Sequence, residues 1–343
     1  MKKIFFKSKY VVRAFIPIKL WLLLASKISS FRTNQYLEKQ KSFGSINQEL
    51  TFFIIRKRPP AAGFFANTYH VLQGIIYANE KNYIPIVDMK NYWVDELSSV
   101  RKINGTNNAW EYFFNPVSEF SLKEVYKSKN VILSNGDSIL NRNDPIHGRN
   151  LLGQISNINL LNTYFKRYIK INDHTYNYIS NLKKSLDWNP NQTLGIFMRG
   201  TAYNQFSNLK DLTVDLDFFI KSCTEMIAKN SLTKLYVSTE DYTLYRKLLP
   251  YFSNIEVVQS LRFPPNLSLP KWQSSQKPNH DGSIRMGYEK TLLYLAEAVM
   301  LSECANFIGT ISNASIFILG NSNLEIGEKV LVKQSSLIPI TKQ

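Results

Sequence analysis

From Thr193 onward, short apolar runs alternate with longer stretches of helical spacing, and that alternation restricts the fold more than any single motif. LGIFM (Leu194 to Met198), KLYVST (Lys234 to Thr239) and NFIGT (Asn306 to Thr310) read as short buried strands. Leu212 to Asp217 leads into the helical DFFIKSCTEMIAKN, and a second helix runs through Leu249. Glu289 to Cys304 sets Leu292, Leu295, Ala296, Val299 and Met300 on one apolar side, and SNAS (Ser312 to Ser315) opens a last helix. Strands linked through helices make a mainly parallel sheet, so the expected class is α/β.

The first half carries a shorter version of the same pattern. TFFII (Thr51 to Ile55) is an apolar strand, followed by the basic, turn-forming RKRPPAAG that ends at Gly63. FFANTYHVLQGIIYANEKN then has helical spacing, and IPIVD (Ile84 to Asp88) is the next strand, giving one βαβ unit. Gly63, Asn67 and His70 lie at the start of that helix, whose N-terminus faces the crevice of such a sheet. VILSN (Val131 to Asn135) is a further strand, Gly136 to Asn150 reads as a loop, and 174–186 reads as a helix. The turn Asn189-Pro190-Asn191 precedes a fresh strand. It marks the expected boundary between a first unit, 31–190, and a second, 191–343, in a chain of 343 residues.

A parallel sheet collects the C-terminal ends of its strands on one edge, where α/β proteins bind ligands. Three strand ends of the second unit meet there: Arg199 with Gly200 and Thr201, Thr239 with Glu240 and Asp241, and Thr310 with Ser312 and Asn313. A guanidinium fork grips two phosphate oxygens together, glycine permits close backbone approach, and hydroxyls and a helix N-terminus donate hydrogen bonds. That set suits a nucleoside diphosphate. Glu240, Asp241 and Glu297 are candidates to accept guanine N–H groups or ribose hydroxyls, although for Asp241 a solvated helix cap is the favoured reading. His70, Asp88 and Asp211 are candidates for a general base. Asp215-Leu216-Asp217 has the form of a metal-binding D-x-D, but its place at a helix start favours capping. Neither G-x-G-x-x-G nor G-x-x-x-x-G-K-[ST] is present, nor is H-E-x-x-H or G-x-S-x-G.

Charge adds one more constraint. Lys and Arg number 42 against 26 Asp and Glu, a net +16, which points to anionic partners. Residues 1–30 combine seven Lys and Arg with Phe5, Phe6, Phe15, Trp21 and Leu22 to Leu24, while Pro17 interrupts one long helix. The apolar runs fall short of the roughly 18–20 residues a membrane-spanning helix needs, so this basic amphipathic segment is expected on an anionic membrane surface or packed on the domain. Cys223 and Cys304 sit far apart in helical patterns, which supports no disulfide framework and no zinc site and fits a reducing cytosol. No basic, aromatic-interleaved module supports the alternative of nucleic-acid binding.

Taken in order, these segments resemble the superfamily of α1,2-, α1,6- and peptide O-fucosyltransferases. AAGFFANTYHVLQGIIYANEKNYIPIVD is similar to that family's opening glycine turn, helix and acid-ended strand. Phe197-Met198-Arg199 stands at its H-x-R strand motif, and Ser238-Thr239-Glu240-Asp241 at its second strand end. Glu297, Leu301, Ser302, Thr310, Ser312 and Asn313 fall on its D-x-x-x-L-S and T-x-S-S positions. The resemblance implies a GT-B-type fold, two Rossmann-like domains facing across a cleft, with the donor on the second and the acceptor near Gly63, Asn67 and His70. It implies an inverting glycosyltransferase that uses GDP-fucose without a metal or other cofactor, with Arg199 neutralising the leaving pyrophosphate. The acceptor would be a glycan or lipid-linked oligosaccharide, and the enzyme cytoplasmic, peripheral on the inner membrane face. The chain departs from the pattern at Phe197, in place of the histidine, at Gly200, in place of a frequent second arginine, and at Ala202, in place of an acid. A catalytically inactive relative serving as a scaffold is the alternative those departures leave.

Overall fold

The computed structural model describes residues 38–57, 63–91, 102–135, 151–199, 214–258, 260–261 and 288–341. The basic segment 1–30, the loop 136–150, Gly200, Thr201, Ala202 and Asp211 lie outside them. The strands are β1 (Lys39–Lys41), β2 (Ile46–Ile55), β3 (Ile84–Val87), β4 (Ser128–Leu133), β5 (Thr193–Met198), β6 (Lys234–Thr239), β7 (Glu256–Val257), β8 (Asn306–Thr310), β9 (Lys329–Lys333) and β10 (Ser336–Pro339). The helices are α1 (Phe64–Glu80), α2 (Leu122–Val125), α3 (Leu151–Ser156), α4 (Ile158–Tyr168), α5 (Asp173–Ser185), α6 (Leu216–Asn230), α7 (Tyr242–Leu248), α8 (Tyr288–Glu303) and α9 (Asn313–Asn321). The class is α/β, with two mixed sheets.

The first sheet has the order β1-β4-β2-β3, with β2 parallel to both neighbours and β1 antiparallel at the edge. Its β2–α1–β3 crossover is the βαβ unit expected from the sequence, and the chain crosses over again from β3 to β4. The second sheet has the order β10-β9-β8-β5-β6-β7, all parallel except the β9–β10 edge. Outward from β5 the chain adds β6 and β7 on one side, then β8 and β9 on the other. The direction of strand addition therefore reverses between β5 and β8. In open α/β sheets a crevice opens at that reversal, because the flanking helices leave toward opposite faces.

The alternation of side chains along β5 assigns those faces. Leu194, Ile196 and Met198 pack with Phe219, Cys223 and Leu248 of α6 and α7. Phe197 points to the other core, with Leu295 and Leu301 of α8 and Phe317 of α9. At Gly195 an added Cβ would lie 2.9 Å from Cys304 Sγ and 3.0 Å from Leu301 Cδ2, so the missing side chain lets α8 lie close on the strand. Burial pushes the Cys304 and Cys223 thiols well above the usual range, as expected of inert core cysteines.

Helix α9 is apolar all round and is buried from Ala314 to Gly320. It carries the packing from one sheet to the other. Phe317 lies 4.8 Å from Phe65 of α1, 5.7 Å from Phe165 of α4 and 6.4 Å from Phe114, ring centre to ring centre. Asn162 of α4 donates to the carbonyls of Leu319, Gly320 and Ser322 at 3.2, 2.9 and 2.9 Å, satisfying the C-terminal end of α9. An added Cβ at Gly320 would meet Phe165 Cδ2 at 2.2 Å. Gly320→Ala is therefore expected to destabilise by about 1–3 kcal/mol through overpacking, although alanine is the better helix former. Urea denaturation of the variant and the wild type measures the difference.

Lys329, at the start of β9, is 3% exposed, and its amine donates to the main-chain carbonyls of Ala305 and Ile326 at 3.1 and 2.5 Å. Burial pulls its pKa from 10.5 down to about 8. Between those values the unfolded chain binds more protons here than the folded one, so this contribution to stability rises with pH, by about 3 kcal/mol at most. Melting curves at pH 7 and 9.5 should show that rise in the wild type and a smaller one in Lys329→Met.

Candidate active site

The reversal point brings the expected residues of β5 and β8 together. The Arg199 main-chain N–H, one residue beyond β5, donates to Thr310 Oγ1 at 2.8 Å, tying the ends of the two strands. The Arg199 guanidinium reaches the other way. Its Nε lies 3.1 Å from Glu240 Oε1, the Arg199 side chain being 31% and the Glu240 side chain 9% exposed. The register places Met198 beside Thr239, so the residues that follow, Arg199 and Glu240, are neighbours on the edge. One cation, half in solvent, is thus held by one nearly buried carboxylate at the mouth of the crevice.

The N-terminus of α9 completes the edge. Ser312 is its N-cap and accepts from Ser315 N at 3.1 Å. Ser315 Oγ lies 3.0 Å from Ser312 Oγ and donates to the Thr310 carbonyl. Ser315 was not among the expected site residues. The signal for it was the Ser-x-x-Ser spacing, a variant of the capping box that fixes how a helix begins. Asn313 is the first helical residue and is half-buried. Thr310, Ser312 and Asn313 therefore stand at a helix start that favours anions, with the Arg199 main chain tied to it through Thr310.

The other carboxylates have structural partners. Asp241 is the N-cap of α7 and accepts from Leu244 N at 3.1 Å, while Thr239 Oγ1 accepts from Asp241 N at 3.2 Å. Glu297 has no exposed surface. It lies under β6, accepting from Tyr236 Oη at 3.3 Å and Ser238 Oγ at 3.0 Å. Asp215 is the N-cap of α6, accepting from Phe218 N at 3.1 Å, as the capping reading of the D-x-D pattern expected. Among the described residues no group of three His, Cys, Asp or Glu is placed to hold a metal. No helix among them is long and apolar enough to cross a membrane.

On the first sheet Gly63 is the N-cap of α1, with φ −61° and open space where a Cβ would stand. The backbone there does not require glycine. Asn67 is 3% exposed, and its main-chain N–H donates to the Gly63 carbonyl at 3.0 Å. His70 is 5% exposed with Nε2 3.1 Å from the Arg56 carbonyl, a geometry in which Nε2 carries the hydrogen and donates. Asp88 is fully buried and accepts from Tyr126 Oη at 2.6 Å, from Asn91 Nδ2 at 2.9 Å, and from the Lys90 and Asn91 N–H groups at 3.1 and 2.9 Å. His70 and Asp88 thus pin the turns after β2 and β3.

No family model and no curated protein sequence matches the chain. Among solved structures it is similar to NodZ α1,6-fucosyltransferase soaked with GDP-fucose, at 13% identity over 86% of this chain and 100% of that one, with a TM-score of 0.47. It is also similar to a mutant of Arabidopsis thaliana FUT1 in complex with GDP, at 10% identity over 84% and 72% of the two chains and a TM-score of 0.43. POFUT1 in complex with GDP-fucose is a more distant likeness, with 8% identity, 82% and 74% coverage and a TM-score of 0.35.

Proposed function

We propose that this chain is an inverting, metal-independent glycosyltransferase that moves fucose from GDP-fucose to a hydroxyl of a glycan acceptor. The observation that carries the reading is the position of Arg199. It stands at the strand-order reversal, joined to Thr310 by its amide and followed across the crevice by the N-terminus of α9. A fixed cation beside oriented N–H groups and hydroxyls is a charge clamp for a pyrophosphate. GDP-fucose is the compound with which the NodZ crystal was soaked, but the reading stands on this chain's own residues and motifs.

In the reaction, the bond between the fucose anomeric carbon and the β-phosphate oxygen breaks, and its electron pair stays on the leaving diphosphate. The acceptor oxygen forms the new bond from the opposite face and gives up its proton to solvent water. Arg199 neutralises the charge that builds on the leaving group, the work a divalent ion would otherwise do. The second unit, 191–343, would hold the donor, and the first, 31–190, would face it with the acceptor. The basic segment 1–30 would keep the enzyme on the inner face of an anionic membrane.

Calorimetry in EDTA with GDP, GDP-fucose, UDP and CMP tests the donor class. Binding of the two guanine nucleotides in preference to UDP and CMP is expected. Binding that requires a divalent ion, or that favours UDP or CMP, counts against the reading. The anomeric configuration of the transferred sugar, read by proton NMR, tests inversion.

A further inference from the structure

Beyond the C-terminal end of β3 an open pocket of about 410 Å³ indents the surface, a volume within the range of small-ligand sites. It is outside the edge that carries Arg199, and Gly63, Asn67 and His70 do not line it. Its floor is a network fixed before any ligand arrives. Asn108, 3% exposed, accepts from Met89 N at 3.0 Å and donates to the Val87 carbonyl at 2.9 Å and to Glu111 Oε1 at 2.9 Å. Thr106 Oγ1 donates to Glu111 Oε2 at 2.7 Å and accepts from Asn108 N at 3.0 Å. Each Glu111 oxygen so receives one hydrogen bond from this network. A carboxylate has about four acceptor sites, so the group is aimed and still has capacity for a ligand's hydroxyls.

The remaining walls suit the same kind of ligand. Asn107, exposed at the rim, adds an amide to the lining. Phe120 supplies an aromatic wall, its ring set edge-on to Phe52 at 5.0 Å. Lys90 and Lys102 are balanced by Glu111 and Glu119, so the lining has no charge surplus to select an anion. A pyranose ring offers the matching chemistry: a flat C–H face for the aromatic ring and hydroxyls for the Glu111 carboxylate and the Asn107 amide.

Beside the cavity, the residue before the lining Gly105 reaches a helix of the second unit. Asn104 donates to the Tyr112 carbonyl at 3.1 Å and to Tyr288 Oη at 3.3 Å, and Phe113 stacks on Tyr288 at 5.5 Å. Tyr288 opens α8, which leads down into parallel strand β8, so its first turn stands on the edge where β5 and β8 end. The loop that forms one wall of the cavity is therefore anchored, through Asn104, to a helix that starts on the donor edge.

We infer that this cavity is the subsite for an uncharged acceptor sugar, with Glu111 accepting its hydroxyl hydrogens and Phe120 covering its apolar face. The inference rests on the glycosyltransferase reading. Saturation-transfer NMR on the full chain with maltotetraose, chitotetraose and trigalacturonate tests it. Transfer to one of the neutral tetrasaccharides is expected, with affinity falling about tenfold in Glu111→Gln, which keeps the shape of the side chain but loses acceptor sites. Asn107→Ala, at the exposed rim of the same wall, is expected to weaken binding severalfold and carries the test if Glu111→Gln does not fold. No transfer from either neutral sugar, affinity unmoved by both variants, or preference for the uronate overturns the assignment. GDP calorimetry on the wild-type chain reports separately on the donor edge, so failure of the cavity and failure of the glycosyltransferase reading are told apart.

Discussion

Arg199→Ala is expected to lower sugar transfer by about 10²–10³, the cost commonly seen when one preorganised donor to a developing anion is removed. Two effects act together. The leaving pyrophosphate loses the fork that would share its charge, and Glu240 is left as a nearly buried carboxylate facing the same anion without its partner. GDP should therefore bind more weakly as well, so the loss appears in both kcat and affinity. The fold should survive. The bond to Thr310 uses the Arg199 main-chain amide, and the side chain is 31% exposed, so removing it leaves no core cavity. Lysine is not an adequate substitute, since an ammonium cannot grip two oxygens in one plane. Transfer rate and GDP calorimetry on Arg199→Ala and Arg199→Lys, with melting temperature as the folding control, decide the matter. An unaltered transfer rate in the alanine variant would remove Arg199 from the mechanism.

What the sequence revealed of this arrangement follows from where each signal is encoded. β6 and β8 fall on the residues expected of them, because a strand buried on both faces needs an unbroken apolar run, and β5 starts one residue early, at Thr193. β2 begins five residues before the expected Thr51, because Ile46 to Leu50 form its exposed end and read as polar. β9 and β10 were not expected: KVLVK is short, and it takes its place beside β8 only after the last helix has turned the chain back. Asp241 and Asp215 are helix caps, a role written locally in Asp ahead of an apolar helix, so that reading needed no tertiary information. The pairing of Arg199 with Glu240, and of its amide with Thr310, depends on which strands are neighbours. Strand order is a property of the sheet, and no spacing along the chain encodes it. Glu111 was missed for a related reason: its partners Thr106 and Asn108 are ordinary loop residues until the turn after β3 folds them around it.

Glu240→Gln should separate two roles that the motif leaves together. If Glu240 contacts the donor directly, accepting a ribose or base hydrogen, its loss weakens nucleotide binding. If it acts through Arg199, as the 3.1 Å ion pair indicates, removing its charge lifts a repulsion between carboxylate and diphosphate. Unit charges about 5 Å apart at the effective dielectric of a protein surface repel by about 3 kcal/mol, and solvent at the half-exposed edge reduces that to a fraction. The expected result is GDP affinity raised by about tenfold in Glu240→Gln, together with a fall in kcat of at least that size, because the guanidinium is no longer aimed when charge develops. The affinity gain should shrink with added salt, as an electrostatic effect must. The double variant Arg199→Ala with Glu240→Gln should bind GDP better than Arg199→Ala alone yet remain as slow in transfer, since no cation is left to orient. Weaker GDP binding in the single Glu240→Gln variant would instead place Glu240 on the donor itself.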